Sequence, residues 1–259
     1  MSIVAKFEIG LKLYSSNTDE ISEIIGIYED NWFDYIELYV LPGTYEETIK
    51  LWSAVKIPYV IHAAHYIHGI NFADAGWRIQ NKINFTGARK FADRLKSDII
   101  IVHAGNGGTI EEAIFQINSL NEPRIAIENK PKIGLNGKEC IGWSALEFKL
   151  FRKAGILGKM VLDFSHAACA SVSAGQNLVE WIKGFLQFKP TMFHLVDCDC
   201  TSQRDRHLNL GKGNLPIPLL MKMLDDNSRI TLETPRDKVH GMADFKKDVK
   251  YVRNCINIT

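Results

Sequence analysis

Residues 98–103 read DIIIVH, an almost unbroken β-branched run that ends on a polar side chain. The same form returns at 124–128 (RIAIE) and at 229–233 (RITLE). A strand with water on one face alternates apolar and polar residues, whereas near-continuous apolar strings belong to strands buried on both faces, as in a parallel sheet covered by helices. Outward from these three, comparable runs occur at Phe7–Leu13, Phe33–Val40, Ile57–His62, Met160–Asp163 and Met192–Val196, giving eight in all.

Stretches of helical length separate the runs. Thr18, Asp19 and Glu20 open one helix, with acids in the first turn where the helix dipole favours them. Thr109 is a candidate N-cap ahead of Ile110, Glu111 and Glu112, and Ser144 and Asp244 can begin two more helices. Gly155 and Gly158 mark the exit before the sixth strand. No linker, low-complexity tract or charge block divides residues 1–259. The alternation predicts an α/β protein, a single (β/α)8 TIM barrel domain. A doubly wound open sheet shares the pattern, but residues 11–20 (LKLYSSNTDE) lack the glycines of a dinucleotide-binding turn.

Bulk composition sets bounds. An apolar fraction of 46% over 259 residues supports a sizeable core, and a net charge of +1 supplies no global field for nucleic acid or membrane. The start MSIVAKFEIG has no secretory pattern, and no apolar run reaches the roughly 18 residues of a membrane span. Five cysteines (Cys140, Cys169, Cys198, Cys200 and Cys255), an odd number without framework spacing, indicate reduced thiols and a cytoplasmic protein.

In parallel barrels the chemistry gathers at the carboxyl ends of the strands. Here the third run ends at His62, the fourth at His103, the fifth at Glu128 and the sixth at Asp163, with His166 just beyond. The seventh holds His194, the eighth ends at Glu233, and the loop after the seventh adds Asp205 and His207. Imidazole and carboxylate together suit Zn²⁺, with Mn²⁺ or Fe²⁺ as alternatives. Taken singly, each is more often a cap, a loop hydrogen-bonder or a satisfied core residue. Nine at one barrel end point jointly to a shared site, and they exceed the three ligands usual for one catalytic zinc. Cys198 and Cys200 lack a second cysteine pair at zinc-ribbon spacing and read as ordinary thiols near the mouth. His65, His68 and His240 are less well placed, and Gly134–Gly142 reads as a flexible loop over the mouth.

From about the third strand to the eighth, these motifs resemble the endonuclease IV family (AP endonuclease family 2), within the wider xylose-isomerase-like barrels. The segment DRHLNLGKGN, Asp205 to Asn214, is the most specific piece. The resemblance implies two or three zinc ions and hydrolysis of the DNA phosphodiester 5′ to an abasic site. It places His62 and His103 on the first ion, and Glu128 as the bridge to the second. Asp163, His194 and Glu233 complete the second, and His166, Asp205 and His207 hold the third. Glu128 and Glu233 would be the catalytic carboxylates. Tyr66, Arg206 and Lys212 are candidate substrate contacts. The chain departs from the family pattern in reading HAAHY from His62, DFSH from Asp163 and VDCD from Val196. The loop VLPGTYEET after the second strand carries no arginine.

A rival within the same superfamily is a sugar or sugar-phosphate isomerase or epimerase. It would hold one ion on Glu128, Asp163, His194 and Glu233, and its two glutamates would exchange a proton beside a carbonyl. Its partner would be a small sugar or phosphorylated substrate rather than abasic DNA. His62, His103, Asp205 and His207 discriminate the two, since the isomerase does not need them as ligands. A barrel that binds metal without catalysis ranks last, because no position in the ligand set is eroded.

Overall fold

The computed structural model describes residues 7–237 and 241–257. Eight parallel strands close into a barrel in chain order: β1 Glu8–Tyr14, β2 Tyr35–Val40, β3 Tyr59–Ala63, β4 Ile100–His103, β5 Ile125–Glu128, β6 Lys159–Asp163, β7 Met192–Leu195 and β8 Arg229–Leu232. Closure is explicit in the pairing of β1 with β8, where Ile9 lies beside Ile230 and Leu11 beside Leu232. The expected single (β/α)8 barrel is therefore the observed fold, with strand ends shifted by a residue or two. No helix among the described residues is long and apolar enough to cross a membrane.

Around the strands run α1 Ile21–Glu29, α2 Tyr45–Ala54, α3 Arg78–Leu95, α4 Ile110–Ser119, α5 Ala145–Lys153, α6 Phe164–Ala174, α7 Leu178–Leu186, α8 Ile217–Met221 and α9 Ala243–Asn257. Several begin where the side chains dictate. Thr109 accepts the Glu112 amide, and Ser144 closes a reciprocal capping box with Glu147. Asp244 falls in the first turn of α9. Thr18–Glu20 forms a 3-10 turn that leads into α1.

Two cores result from the alternation of side chains along each strand. The larger lies between strands and helices and includes Trp52, Phe85, Phe91, Phe148 and Phe185. A second, small cluster fills the barrel interior: Tyr35, Val60, Ile99, Ile101, Ala126, Val161 and Met192. The next inward position on each strand lies two residues towards the carboxyl end. Those positions are Lys12, Glu37, His62, His103, Glu128, Asp163, His194 and Glu233. Every strand thus lays one chemically active side chain on an apolar floor.

Gly10 belongs to this floor directly beneath Lys12. A Cβ there would stand 2.4 Å from the Tyr35 ring. That ring cannot retreat, because it is buried and its hydroxyl bonds Thr231 Oγ1 at 2.9 Å. Gly10→Ala is accordingly expected to lower the unfolding free energy by about 1–3 kcal/mol, the usual range for overpacking. Urea denaturation measures this directly, and an unchanged midpoint would mean that the floor can relax.

Candidate metal centre

The nine side chains expected from the sequence come together at the carboxyl end of the barrel. Ligand-capable atoms lie within 4.8 Å of one another in each of three groups: His62, His103 and Glu128; Glu128, Asp163 and His194; His166, Asp205 and His207. Glu128 is the hub. Its Oε2 stands 3.1 Å from His62 Nε2 and 2.9 Å from His103 Nε2, while Oε1 is 3.0 Å from His166 Nδ1. His194 Nδ1 lies 2.7 Å from Glu233 Oε1, 3.5 Å from Glu128 Oε2 and 3.9 Å from Asp163 Oδ2. In the third group, Asp205 Oδ2 is 3.2 Å from His166 Nε2 and 3.0 Å from His207 Nε2.

Hydrogen bonds behind the histidines choose which nitrogen faces the site. A carbonyl oxygen only accepts, so the nitrogen bonded to it must carry a proton, which leaves the other ring nitrogen to face the site. His62 Nδ1 donates to Ala63 O at 2.8 Å, His166 Nδ1 to Asn129 O at 2.9 Å and His207 Nδ1 to Glu233 O at 3.0 Å. His194 is oriented by a carboxylate instead, with Nε2 donating to Glu37 Oε2 at 2.9 Å. Asp163 serves two ends, since its Oδ1 caps α6 through the His166 amide at 2.7 Å.

Buried polar atoms normally find partners, because leaving one unpaired costs free energy. Among the described residues, His103 Nδ1 and Asp163 Oδ2 are buried without a hydrogen-bond partner, and His194 Nδ1 and Glu37 Oε1 meet only ion-pair partners, the nearest being Glu233 and Lys12. All four belong to this one layer. Imidazole and carboxylate donors that converge in this way fit divalent ions of the zinc, manganese or iron type.

The electrostatics agree with a site built around cations. Burial opposes charge on Glu128, but His103, His194 and Lys130 outweigh it and hold the carboxyl well below its usual range. Burial pushes His62 and His103 down, which keeps them neutral and ready to donate a lone pair. His194 goes the other way: burial opposes its charge, yet Glu37, Glu233 and Glu128 raise it well above 6.5. Asp163 and Asp205 likewise overcome burial to lift His166 to about 10, and Asp205 lifts His207 to about 9. These protons stand in for positive charge that divalent ions would replace.

The DRHLNLGKGN loop owes its shape to a residue that sequence reading passed over. Asp197 Oδ2 accepts the amides of Gly211 and Gly213, both at 2.9 Å, while Oδ1 accepts Cys198 at 2.9 Å and Leu215 at 3.1 Å. Gly213 must lack a side chain there, since a Cβ would stand 2.3 Å from Cys198 O. The four-amide clasp presents Asp205 and His207 to the site.

Above the ligands opens a cavity of about 530 Å³. Tyr66 and His65 contribute to its wall, and the Tyr66 hydroxyl accepts the Leu135 amide at 2.8 Å. Arg206 and Lys212 are exposed and do not contribute to it. His68 Nδ1 bonds the Tyr39 hydroxyl at 2.9 Å, and His240 lies outside the described residues. Cys198 and Cys200, with sulfurs 3.9 Å apart, join none of the ligand groups. Gly134–Gly142, expected as a loop over the mouth, lies there as a loop crossed by backbone hydrogen bonds. Gly134 N bonds Lys138 O, Cys140 N bonds Lys132 O, and Gly107 N bonds Glu139 O, at 2.8–2.9 Å.

Three functional neighbours were not singled out from sequence. Lys12 Nζ bonds Glu233 Oε1 and stands 3.3 Å from Glu37 Oε1. Burial opposes its charge, but Glu233, Glu37 and Glu128 prevail and raise it above the normal lysine range. Glu37, fully buried, also accepts Thr231 Oγ1 at 2.7 Å. Lys130 Nζ stands 3.1 Å from His166 Nε2 and 3.7 Å from Glu128 Oε1. The available signal for the first two was a charged residue inside an apolar strand, two positions beyond a floor residue.

Comparison with solved structures places this architecture among known barrels. Endonuclease IV from Thermus thermophilus superposes with a TM-score of 0.71 at 17% identity, covering 97% of this chain and 100% of that one. A D-tagatose 3-epimerase-like protein gives 0.66 at 17% identity over 96% and 99%. A second Thermus thermophilus protein, soaked with zinc chloride, gives 0.65 at 19% over 94% and 98%. The barrel is of their kind. At such identities the likeness establishes the fold, which endonuclease and epimerase share, and leaves the reaction to the site. No family model and no curated protein sequence matches the chain.

Proposed function

We propose that this protein is a metal-dependent hydrolase of phosphoester bonds, working at a two- or three-ion centre of the endonuclease IV type. The observation that carries the reading is the third ligand group, His166, Asp205 and His207, set beside the pair His62 and His103 around Glu128. Of these, His62, His103, Asp205 and His207 would not serve a single-ion isomerase, whereas His166 fits either reading. When bound, divalent ions in such groups ionise a water near neutral pH and neutralise charge on phosphoryl oxygens.

The chain's own residues supply the remainder. Glu128 belongs both to the group with His62 and His103 and to the group with Asp163 and His194, so it would hold an ion in each. Glu233, bonded to Lys12 Nζ, would orient the attacking water. The loop around Gly134 and the Tyr66 ring line one side of the cavity.

Elemental analysis of protein purified without chelator or added metal tests the reading. The expected content is two or three zinc, manganese or iron ions per chain, with abasic-site DNA the first diester to assay. His207→Ala is expected to lower that content by about one ion, since it opens one of three coordination sets. A wild-type content of one ion, unchanged in the variant, would favour the isomerase. That second reading has its own support, because His194 Nδ1 lies within 3.9 Å of carboxylate oxygens from Glu128, Asp163 and Glu233.

A further inference from the structure

Two ammonium groups stand inside the ligand layer. Lys12 lies against Glu233 and Glu37 on one side of the cavity, and Lys130 against His166 and Glu128 on another. Both line the same cavity as His62, His103 and His207. Each is therefore directed at an atom that an ion would take, Glu233 Oε1 for Lys12 and His166 Nε2 for Lys130. A divalent ion and an ammonium repel unless an anion lies between them. Once the ions are bound, Lys12 keeps Glu37 Oε1 at 3.3 Å, and the N–H groups that had met Glu233 and His166 are left facing the cavity.

We propose that Lys12 and Lys130, together with the ions, form a subsite for the dianionic phosphate of a small phosphomonoester. This rests on the hydrolase reading and narrows its substrate. A monoester phosphate carries close to two negative charges near neutral pH and offers three terminal oxygens, whereas a diester carries one charge and two such oxygens. Three oxygens can meet the ions and both lysines together. In the reaction, the water oxygen forms the new bond to phosphorus, the phosphorus–oxygen bond to the alcohol breaks, and a proton from the water ends on the departing oxygen.

The outer wall argues for a small substrate rather than a nucleic-acid end. Among the described residues, Asp19, Glu20 and Glu23 line it, and Arg236 there is paired with Glu20 at 2.6 Å. Flanking phosphates of a polynucleotide would meet this acidic rim and be repelled. The cavity, about 530 Å³, is of the size that encloses a metabolite.

Calorimetric titration of the metal-loaded protein with orthophosphate and with dimethyl phosphate tests the subsite. Orthophosphate is expected to bind about 10-fold or more tighter, the scale of one charge-assisted hydrogen bond. Lys12→Met and Lys130→Met should each remove about that factor for orthophosphate alone, with the metal content unchanged. Lys12→Arg should retain most of the affinity, which separates loss of charge from misfolding. Equal affinity for the two anions, or no effect of either methionine variant, would overturn the proposal. A terminally phosphorylated oligonucleotide should bind more weakly than p-nitrophenyl phosphate at low salt, and the reverse order would overturn the small-substrate claim. Lysine-dependent phosphate binding without hydrolysis of any phosphoester would keep the subsite and sink the hydrolase reading. Hydrolysis of diesters alone would do the opposite.

Discussion

Glu128→Gln is expected to lower turnover by about 10³-fold or more, on the scale seen when a residue acting only in the reaction is removed. The substitution keeps the shape of a side chain that is 1% exposed and deletes only its charge and one acceptor. That charge is what draws His62, His103, His166 and His194 to one point, with four imidazole nitrogens within 3.5 Å of its two oxygens. An amide in its place presents N–H to groups that hold lone pairs for ions, so bridging fails even where the fold persists. Steady-state rates on the best phosphoester substrate, beside circular dichroism and metal content, measure the effect. Wild-type turnover in a folded variant would remove Glu128 from the bridge.

The second large effect concerns stability. Stripping divalent ions with a chelator is expected to cost about 4 kcal/mol of apparent stability if the metal had been present at roughly 1,000 times its dissociation constant. For a chain of this size that corresponds to a fall of roughly 10 °C in the unfolding midpoint. The structural cause includes two buried atoms without hydrogen-bond partners at the barrel mouth, His103 Nδ1 and Asp163 Oδ2. In the absence of ions these remain unpaired, and ions bind the folded arrangement but not the dispersed chain. Differential scanning calorimetry before and after chelation, with zinc or manganese added back, reads this directly. A midpoint indifferent to both steps would mean that the nine side chains satisfy one another without metal.

Gly10 and Asp197 show how support for the site lies beyond its ligands. Gly10 lets the Tyr35 ring close the floor beneath Lys12, and Asp197 folds a loop whose ligands lie eight and ten positions further along. Neither carries a motif of its own, because each acts through contacts made only after the chain has closed.

The sequence by itself determined the barrel and the nine polar strand-end and loop groups. Both are local properties: continuous apolar runs mark strands buried on two faces, and a polar residue closing such a run needs no partner to be recognised. The same continuity hid the rest. When both faces are apolar, alternation no longer says which residues point inward, so Lys12 and Glu37 read as interruptions within β1 and β2. Only closure of the barrel, with β1 between β2 and β8, brings Lys12 beside Glu37 and Glu233. Tertiary structure also decided that Lys130 reaches His166, that Gly134–Gly142 is crossed by backbone hydrogen bonds, and that Arg206 and Lys212 stay out of the cavity wall. Each of these depends on segments far apart in the chain meeting at one end of the barrel, and no local pattern encodes that meeting.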